Sequence, residues 1–244
     1  MADRHTGFIS LFFMLTFLDD SNVREILATF NFDPDVLATL WDMPKAALSV
    51  VQKIYEYEAI QAYGQRTAII NEEKFKFLRA WPLEMDAGVL MYLLVRYLKP
   101  TTILECGTSF GVSALFEASA LQQNKQGQLT TVEVSKLKHE SAWQNFQLAG
   151  VTEYISQEKV AFDQYLKFSD QKFDLVLLDC DRSRYPVYFE ALLARLNPNA
   201  LLLADNAIDR AADLLPLQQK LKEKGWHYCI LPIGDGLLIA QDKS

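Results

Sequence analysis

The sequence has little cysteine and little histidine, three of each in 244 residues. Cys106, Cys180 and Cys229 are odd in number and far apart, and each lies in or beside an apolar stretch. Buried, reduced thiols are therefore expected. His5, His139 and His227 do not stand near them with the spacing of zinc ligands. No basic run interleaved with aromatics appears, and the formal charge is −7. Binding to a phosphate backbone runs on clustered Lys and Arg, so no nucleic-acid partner is expected. A bilayer-spanning run is missing too. Phe8–Leu18 is apolar but too short, and Asp19-Asp-Ser-Asn22 follows it instead of a small-residue cleavage site. It is read as a helix buried against the domain or a second subunit, which makes a cytoplasmic homodimer without a membrane span the expectation.

Half the residues are hydrophobic and 23% are charged, enough to bury a sizeable core. From Asn22 to about Leu98 the spacing is helical: Val23, Ile26, Leu27 and Phe30, then Leu48, Val51, Ile54, Tyr55 and Ala59. Asp33-Pro34 and Met43-Pro44 punctuate these runs, because a residue before proline is pushed out of the helical region. Asp86–Leu98 is a further amphipathic helix. After Pro100, short apolar runs alternate with helical patterns: Thr102–Cys106, Leu129–Glu133, Lys159–Phe162, Leu175–Asp179, Ala200–Asp205, Tyr228–Leu231 and Leu237–Ala240. Such alternation means βαβ units. The last two runs are separated only by Pro232–Gly236, too short for a parallel return. The expected fold is α/β, a doubly wound seven-stranded, mostly parallel sheet with an antiparallel C-terminal hairpin. Residues 1–82 form a helical extension to it, serving as lid or dimerisation element, and residues 83–244 form the domain itself.

Chemistry is expected at the strand ends. Ile103-Leu-Glu-Cys-Gly-Thr-Ser-Phe-Gly-Val-Ser113 reads as strand, tight turn and helix start. Gly107 and Gly111 permit torsions and close approach that a Cβ would block. A dinucleotide site would carry a third glycine to receive a pyrophosphate. Here acidic Glu105 suits instead a ligand with a positive amino group and a sulfonium, which favours S-adenosylmethionine (SAM) over NAD. Glu133 ends the second strand, where a carboxylate can accept from both ribose hydroxyls. Either acid alone could be an ordinary strand-end residue; the pair points to a cofactor. The fourth and fifth strands end in Asp179 and in Asp205-Asn206. Two carboxylates and an amide oxygen are hard ligands fit for Mg²⁺, although an aspartate after a strand also commonly caps a helix.

These residues resemble the cation-dependent O-methyltransferases of the catechol and caffeoyl-CoA type, O-methyltransferase family 3, from about Leu83 to Lys243. Four motifs carry the likeness: Leu104–Ser113, Val132-Glu-Val134, Phe173–Tyr185 with Tyr188, and Leu203-Ala-Asp-Asn206. The ending Leu231–Ala240 is similar to the family's closing hairpin. The resemblance implies a SAM-binding Rossmann-like methyltransferase domain. Glu105, Gly107, Thr108 and Ser113 would line the methionine part, Glu133 would bind the ribose and Phe162 would fall near the adenine side, with Ser109, Gly111, Val134 and Asp181 further cofactor contacts. Asp179, Asp205 and Asn206 would hold the metal. Methyl transfer would go to an oxygen of a small-molecule acceptor, with Asp179 and Arg182 as catalytic residues.

The chain departs from that pattern at Arg182. The family has a lysine there as general base, and a guanidinium is too basic to be available as a proton acceptor at neutral pH. Arg182 can still stabilise an oxyanion or fork onto an acidic acceptor. A metal-independent methyltransferase using Arg182 in this way, and a SAM-binding protein without turnover, are the alternatives. An NAD-linked oxidoreductase ranks last, for want of the three-glycine loop.

Overall fold

In the computed structural model, residues 43–67 and 80–242 are described, 60–67 by their backbone alone. Phe8–Leu18, the helical spacing from Val23 to Phe30 and Asp33-Pro34 lie outside the described residues. Helix α1 (Lys45–Thr67) begins directly after Met43-Pro44. Its Ala47, Val50, Val51 and Ile54 are buried, three and four residues apart, so one face of the helix is in the core. Helix α2 (Met85–Leu98) ends where Lys99 turns left-handed just ahead of Pro100.

Then come β1 (Thr102–Cys106), α3 (Val112–Asn124), β2 (Gln128–Val132), α4 (Lys136–Ala149), β3 (Ile155–Glu158), α5 (Phe162–Phe168), β4 (Phe173–Leu178), α6 (Tyr185–Leu192), β5 (Leu196–Ala204), α7 (Ala211–Glu223), β6 (His227–Leu231) and β7 (Leu237–Gln241). The sheet order is β3-β2-β1-β4-β5-β7-β6. The first five strands are parallel, and β7 runs antiparallel to β5 and to β6. This is the doubly wound, seven-stranded sheet expected from the alternation. Its central strands are apolar on both faces because both faces are covered. Ile103, Leu175, Leu177, Leu201 and Leu203 join the layer that includes α1, α2 and α3. Leu104, Val176, Leu178, Leu202 and Ala204 join the layer of α5, α6 and α7.

Two expectations are corrected. The third strand is Ile155–Glu158, not Lys159–Phe162, and Phe162 opens α5. An edge strand pairs on one side only, so β3 needs little apolar sequence; only its Ile155 is buried. The cysteines are not all reduced. Cys106 is bonded to Cys180, with their Cα atoms 5.8 Å apart, and Cys229 is free and buried. A separation of 74 residues in the chain is none in space, because β1 and β4 are sheet neighbours with Cys106 opposite Leu178.

At the end of the sheet where β1 and β4 begin, Asp174 acts as a fastener. Its Oδ2 accepts from Thr101 N (2.7 Å), Thr101 Oγ1 (2.8 Å) and Thr102 N (3.0 Å), while Oδ1 accepts from Asn197 Nδ2 (2.7 Å). Burial alone would raise its pKa, but these bonds outweigh it and hold the carboxyl below the usual range. No helix among the described residues is long and apolar enough to cross a membrane.

Candidate functional site

Parallel strands put their carboxyl ends on one edge, and the connections diverge where β1 meets β4. An open α/β sheet binds ligands in the crevice outside such a switch point. A cavity of about 950 Å³ lies there. Gly107 and Ser109 reach it from β1, Glu133 and Val134 from β2, Phe162 from the start of α5, Asp179–Arg182 from β4, and Asp205 and Asn206 from β5. The opposite wall comes from Tyr55 of α1 and from Trp81, Pro82 and Glu84. Helix α1 holds that wall in place: Tyr55 Oη donates to Leu83 O, and Glu58 Oε2 accepts from Ala80 N at 2.7 Å.

The turn after β1 is shaped by the protein's own packing. Gly107 has φ +106°, and a Cβ there would lie 1.9 Å from the carbonyl oxygen of Asp179. A Cβ on Gly111 would meet the Phe146 ring of α4 at 2.4 Å. Both glycines are thus required by neighbouring strand and helix, whatever occupies the crevice. Ser109 donates from its backbone N to Glu133 Oε2 (3.0 Å) and from Oγ to Ala80 O (2.5 Å). Glu133 Oε1 accepts from Ser135 N at 2.8 Å. Each carboxylate oxygen keeps a lone pair to offer to hydroxyls in the cavity.

Glu105 does not reach the main cavity. It is fully buried, accepting from Ser113 Oγ and from Thr131 Oγ1, while Thr131 and Thr108 share a hydroxyl hydrogen bond at 2.5 Å. Burial pushes its carboxyl up to about 7; the two hydroxyl bonds oppose the rise, and Glu133 adds to it. Thr108 and Ser113 border a narrow recess under Trp81 and Pro82. Gly111 is the N-cap of α3. The expected cofactor residues therefore divide in two. Gly107, Ser109, Glu133, Val134, Phe162 and Asp181 face the cavity, and Glu105, Thr108, Gly111 and Ser113 support the turn from behind.

At the other end, Asp179, Asp205, Asn206 and Arg182 come together. Enclosure pushes the Asp179 carboxyl well above its usual range, and the charges of Asp205 and Glu105 add to this; Arg182 and Lys138 oppose it. Asp205 is pushed to about 6 by burial, against a backbone hydrogen bond from Asn206 and with help from Asp235 and Asp209. Arg182 Nη1 donates to Asn206 Oδ1 at 2.7 Å, and its Nε stands 3.8 Å from Asp213 Oδ2. Asn206 sits at φ +64° and its Nδ2 approaches Asp235 Oδ2 at 3.4 Å. Among the described residues no three His, Cys, Asp or Glu side chains converge as metal ligands. The set expected from the sequence differs, with two carboxylates and one amide oxygen.

Sequence reasoning missed Trp81, Lys138 and Asp235. Lys138 Nζ lies 5.1 Å from the Trp81 ring centroid, above the cavity. Burial lowers its pKa against the pull of Glu133, Asp179 and Glu58. Asp235 enters because the closing hairpin clasps the loop after β5: Ala207 N donates to Gly236 O (2.7 Å) and Ile208 N to Asp235 O (3.0 Å). The available signals were Trp81-Pro82 in a loop and the tight Gly234-Asp-Gly236 link.

The sequence profile of the O-methyltransferase family matches residues 71–243. The chain belongs to the O-methyltransferase family. The resemblance read from the four motifs, and the enzyme class it implied, are borne out. A catechol O-methyltransferase of Niastella koreensis is 32% identical over 127 residues, 50% of this chain and 57% of that protein. The chain thus spans little more than half the length of that relative. A caffeoyl-CoA O-methyltransferase of Populus kitakamiensis is 26% identical over 165 residues, 64% of this chain and 69% of that one. In fold, this O-methyltransferase is similar to the crystal structure of an O-methyltransferase from Bacillus cereus in complex with SAH. The TM-score is 0.58 at 22% identity, covering 78% of this chain and 100% of the other.

Proposed function

We propose that this O-methyltransferase moves a methyl group from SAM to an oxygen of a small-molecule acceptor, assisted by a divalent cation, with Mg²⁺ the favoured ion. The observation that carries the reading is the continuity of one cavity from Glu133 at the tip of β2 to Asp205 and Asn206 at the tip of β5. It joins a site for a ribose diol to a site for hard-ligand chemistry. The donor set fits a dication in kind: two carboxyls and an amide oxygen, hard oxygen donors, meet at the ends of β4 and β5. In this reading the relatives' catechol and caffeoyl groups suggest an acceptor with vicinal oxygens. A cytoplasmic homodimer, with residues 1–82 as lid or dimer element and 83–244 as the SAM-binding domain, completes it.

SAM supplies an electrophilic methyl on a sulfonium, and the cation supplies a Lewis acid. The residues of the chain provide position and charge. Glu133 accepts from the ribose hydroxyls, and Gly107, Ser109 and Asp181 border the rest of the cofactor, with Phe162 against Tyr188 at 4.9 Å closing the adenine side. Asp179, Asp205 and Asn206 hold the positive charge. Arg182 faces the acceptor oxygen and stabilises its negative charge as it develops. A guanidinium does not serve as a general base, so the acceptor's proton leaves to water or to a neighbouring carboxylate.

The Arg182–Asn206 hydrogen bond favours a second reading, in which Arg182 alone orients an acidic acceptor without a metal. Calorimetry with SAH, followed by methyl-transfer assays on catechol-bearing acceptors with Mg²⁺ or EDTA, tests both. SAH binding, with turnover lost in EDTA and restored by Mg²⁺, is expected. Turnover indifferent to EDTA and to Asp205→Ala selects the second reading. No SAH binding at millimolar concentration ends both.

A further inference from the structure

We propose that Cys106 and Cys180 form a reversible thiol–disulfide site that sets the order of the β4–α6 turn in the floor of the cavity. Both sulfur-bearing residues line the cavity, Cys106 almost fully buried and Cys180 half-buried. Cys106 is the last residue of β1, and its carbonyl accepts from Asp179 N at 2.9 Å. Cys180 stands between Asp179 and the turn Asp181–Arg184, the segment that carries Arg182. The bond therefore ties the residue before Gly107 to the residue after Asp179, at a point where the two backbones already touch.

Outside the bond, the turn is held by polar side-chain contacts: Arg182 reaches Asn206 (2.7 Å) and Asp213 (3.8 Å), and Arg184 reaches Asp163 (3.3 Å). Cys180 N donates to Tyr185 Oη (3.1 Å), and Asp181 Oδ1 accepts from Ser183 N (3.1 Å) and Oγ (2.7 Å). The Asp181 bonds are local to the turn and exposed, so they restrain its shape more than its position. The disulfide adds a covalent tie to β1 beside the chain's own connection to β4. Its wall position lets a small dithiol approach from the cavity. A thiolate of the dithiol attacks one sulfur and forms a mixed disulfide. The second thiol closes a ring and releases the chain, so two electrons pass to Cys106 and Cys180, which take up two protons as thiols. A low-molecular-weight disulfide of the glutathione type reverses the step by the same exchange and leaves as two thiols. Cys229 is the internal contrast: buried on β6, with its thiol pushed up to about 12 by burial, it is inert and unpaired.

The test needs no cofactor, so its failure is separate from failure of the methyltransferase reading. Protein treated with glutathione disulfide, and the same protein treated with dithiothreitol, are unfolded under acid quench and their thiols alkylated and mapped. One free thiol, Cys229, is expected in the first and three in the second. Hydrogen exchange of the amides in 179–185 is expected to be at least threefold faster in the reduced protein. Cys180→Ala should exchange at the reduced rate and ignore dithiothreitol, whereas Cys229→Ala should respond like the parent. Three thiols after glutathione disulfide overturn the proposal. So does equal exchange of 179–185 in the oxidised and reduced forms.

Discussion

Arg182 lies across the corner where Asp205 and Asn206 leave β5, its Nη1 bonded to the Asn206 amide oxygen at 2.7 Å. A guanidinium there is both a stabiliser of negative charge and a competitor for the amide oxygen. Arg182→Met is therefore expected to lower kcat by about 10²-fold, the usual loss when one donor to a developing oxyanion goes. It should also tighten Mg²⁺ binding, because one positive charge leaves and Asn206 is freed. Initial rates over a range of Mg²⁺ concentrations read both effects. An unchanged kcat removes Arg182 from the chemistry.

Glu133 offers charge as well as hydrogen-bond acceptance to the cavity. Replacing it by its neutral isostere in Glu133→Gln is expected to weaken SAH binding about 10-fold, in line with ~1.5 kcal/mol for a hydrogen bond to a charged group. Calorimetry measures this directly. A dissociation constant within twofold of the parent's contradicts the ribose assignment.

The Gly107 turn has no room for a methyl group. Left-handed backbone costs an L-residue about 1–2 kcal/mol, and contact with the Asp179 carbonyl is relieved only by parting β1 from β4. Gly107→Ala should lose more than about 3 kcal/mol in urea unfolding, a sum of strain and overpacking. A loss below about 1 kcal/mol means the strand ends are looser than described.

Glu105 makes stability depend on pH. Its proton is held to about 7 in the fold, against 4.5 ordinarily. The native state therefore keeps a proton that the unfolded chain releases. This contribution is full below about pH 4.5 and is lost as pH rises through about 7, with a slope of at most ~1.4 kcal/mol per pH unit. Glu117, fully buried with neither carboxyl oxygen hydrogen-bonded, is displaced the same way by burial and by Glu105. Urea midpoints at pH 5 and pH 7.5 should differ less in Glu105→Gln than in the parent. An identical difference places the pH dependence elsewhere.

The architecture was legible because its signals are local. Apolar runs of strand length, helical spacing between them and a five-residue link before β7 dictate the sheet. The polar residues that end β4 and β5 were legible for the same reason, since a charged tip after an apolar run must leave the sheet. What failed depended on neighbours. Cys106 and Cys180 look unrelated until β1 and β4 are paired. The enclosure of Glu105 by Ser113 and Thr131 was likewise invisible, because Thr131 comes from the neighbouring strand. Lys159–Phe162 outscores β3 as a strand because a sheet edge tolerates polar sequence. Trp81 and Asp235 reach the site from segments that carry no strand signal at all.

Asp174 binds the starts of β1 and β5 to β4 at the pole remote from the crevice. The strands are thus moored there by side-chain hydrogen bonds, whereas at the crevice β1 and β4 are joined through Cys106 and Cys180. Damage to the Asp174 fastener should shorten the lifetime of the folded protein and spare turnover per folded molecule. Durability and catalysis can accordingly drift, or be engineered, along separate stretches of the same strands.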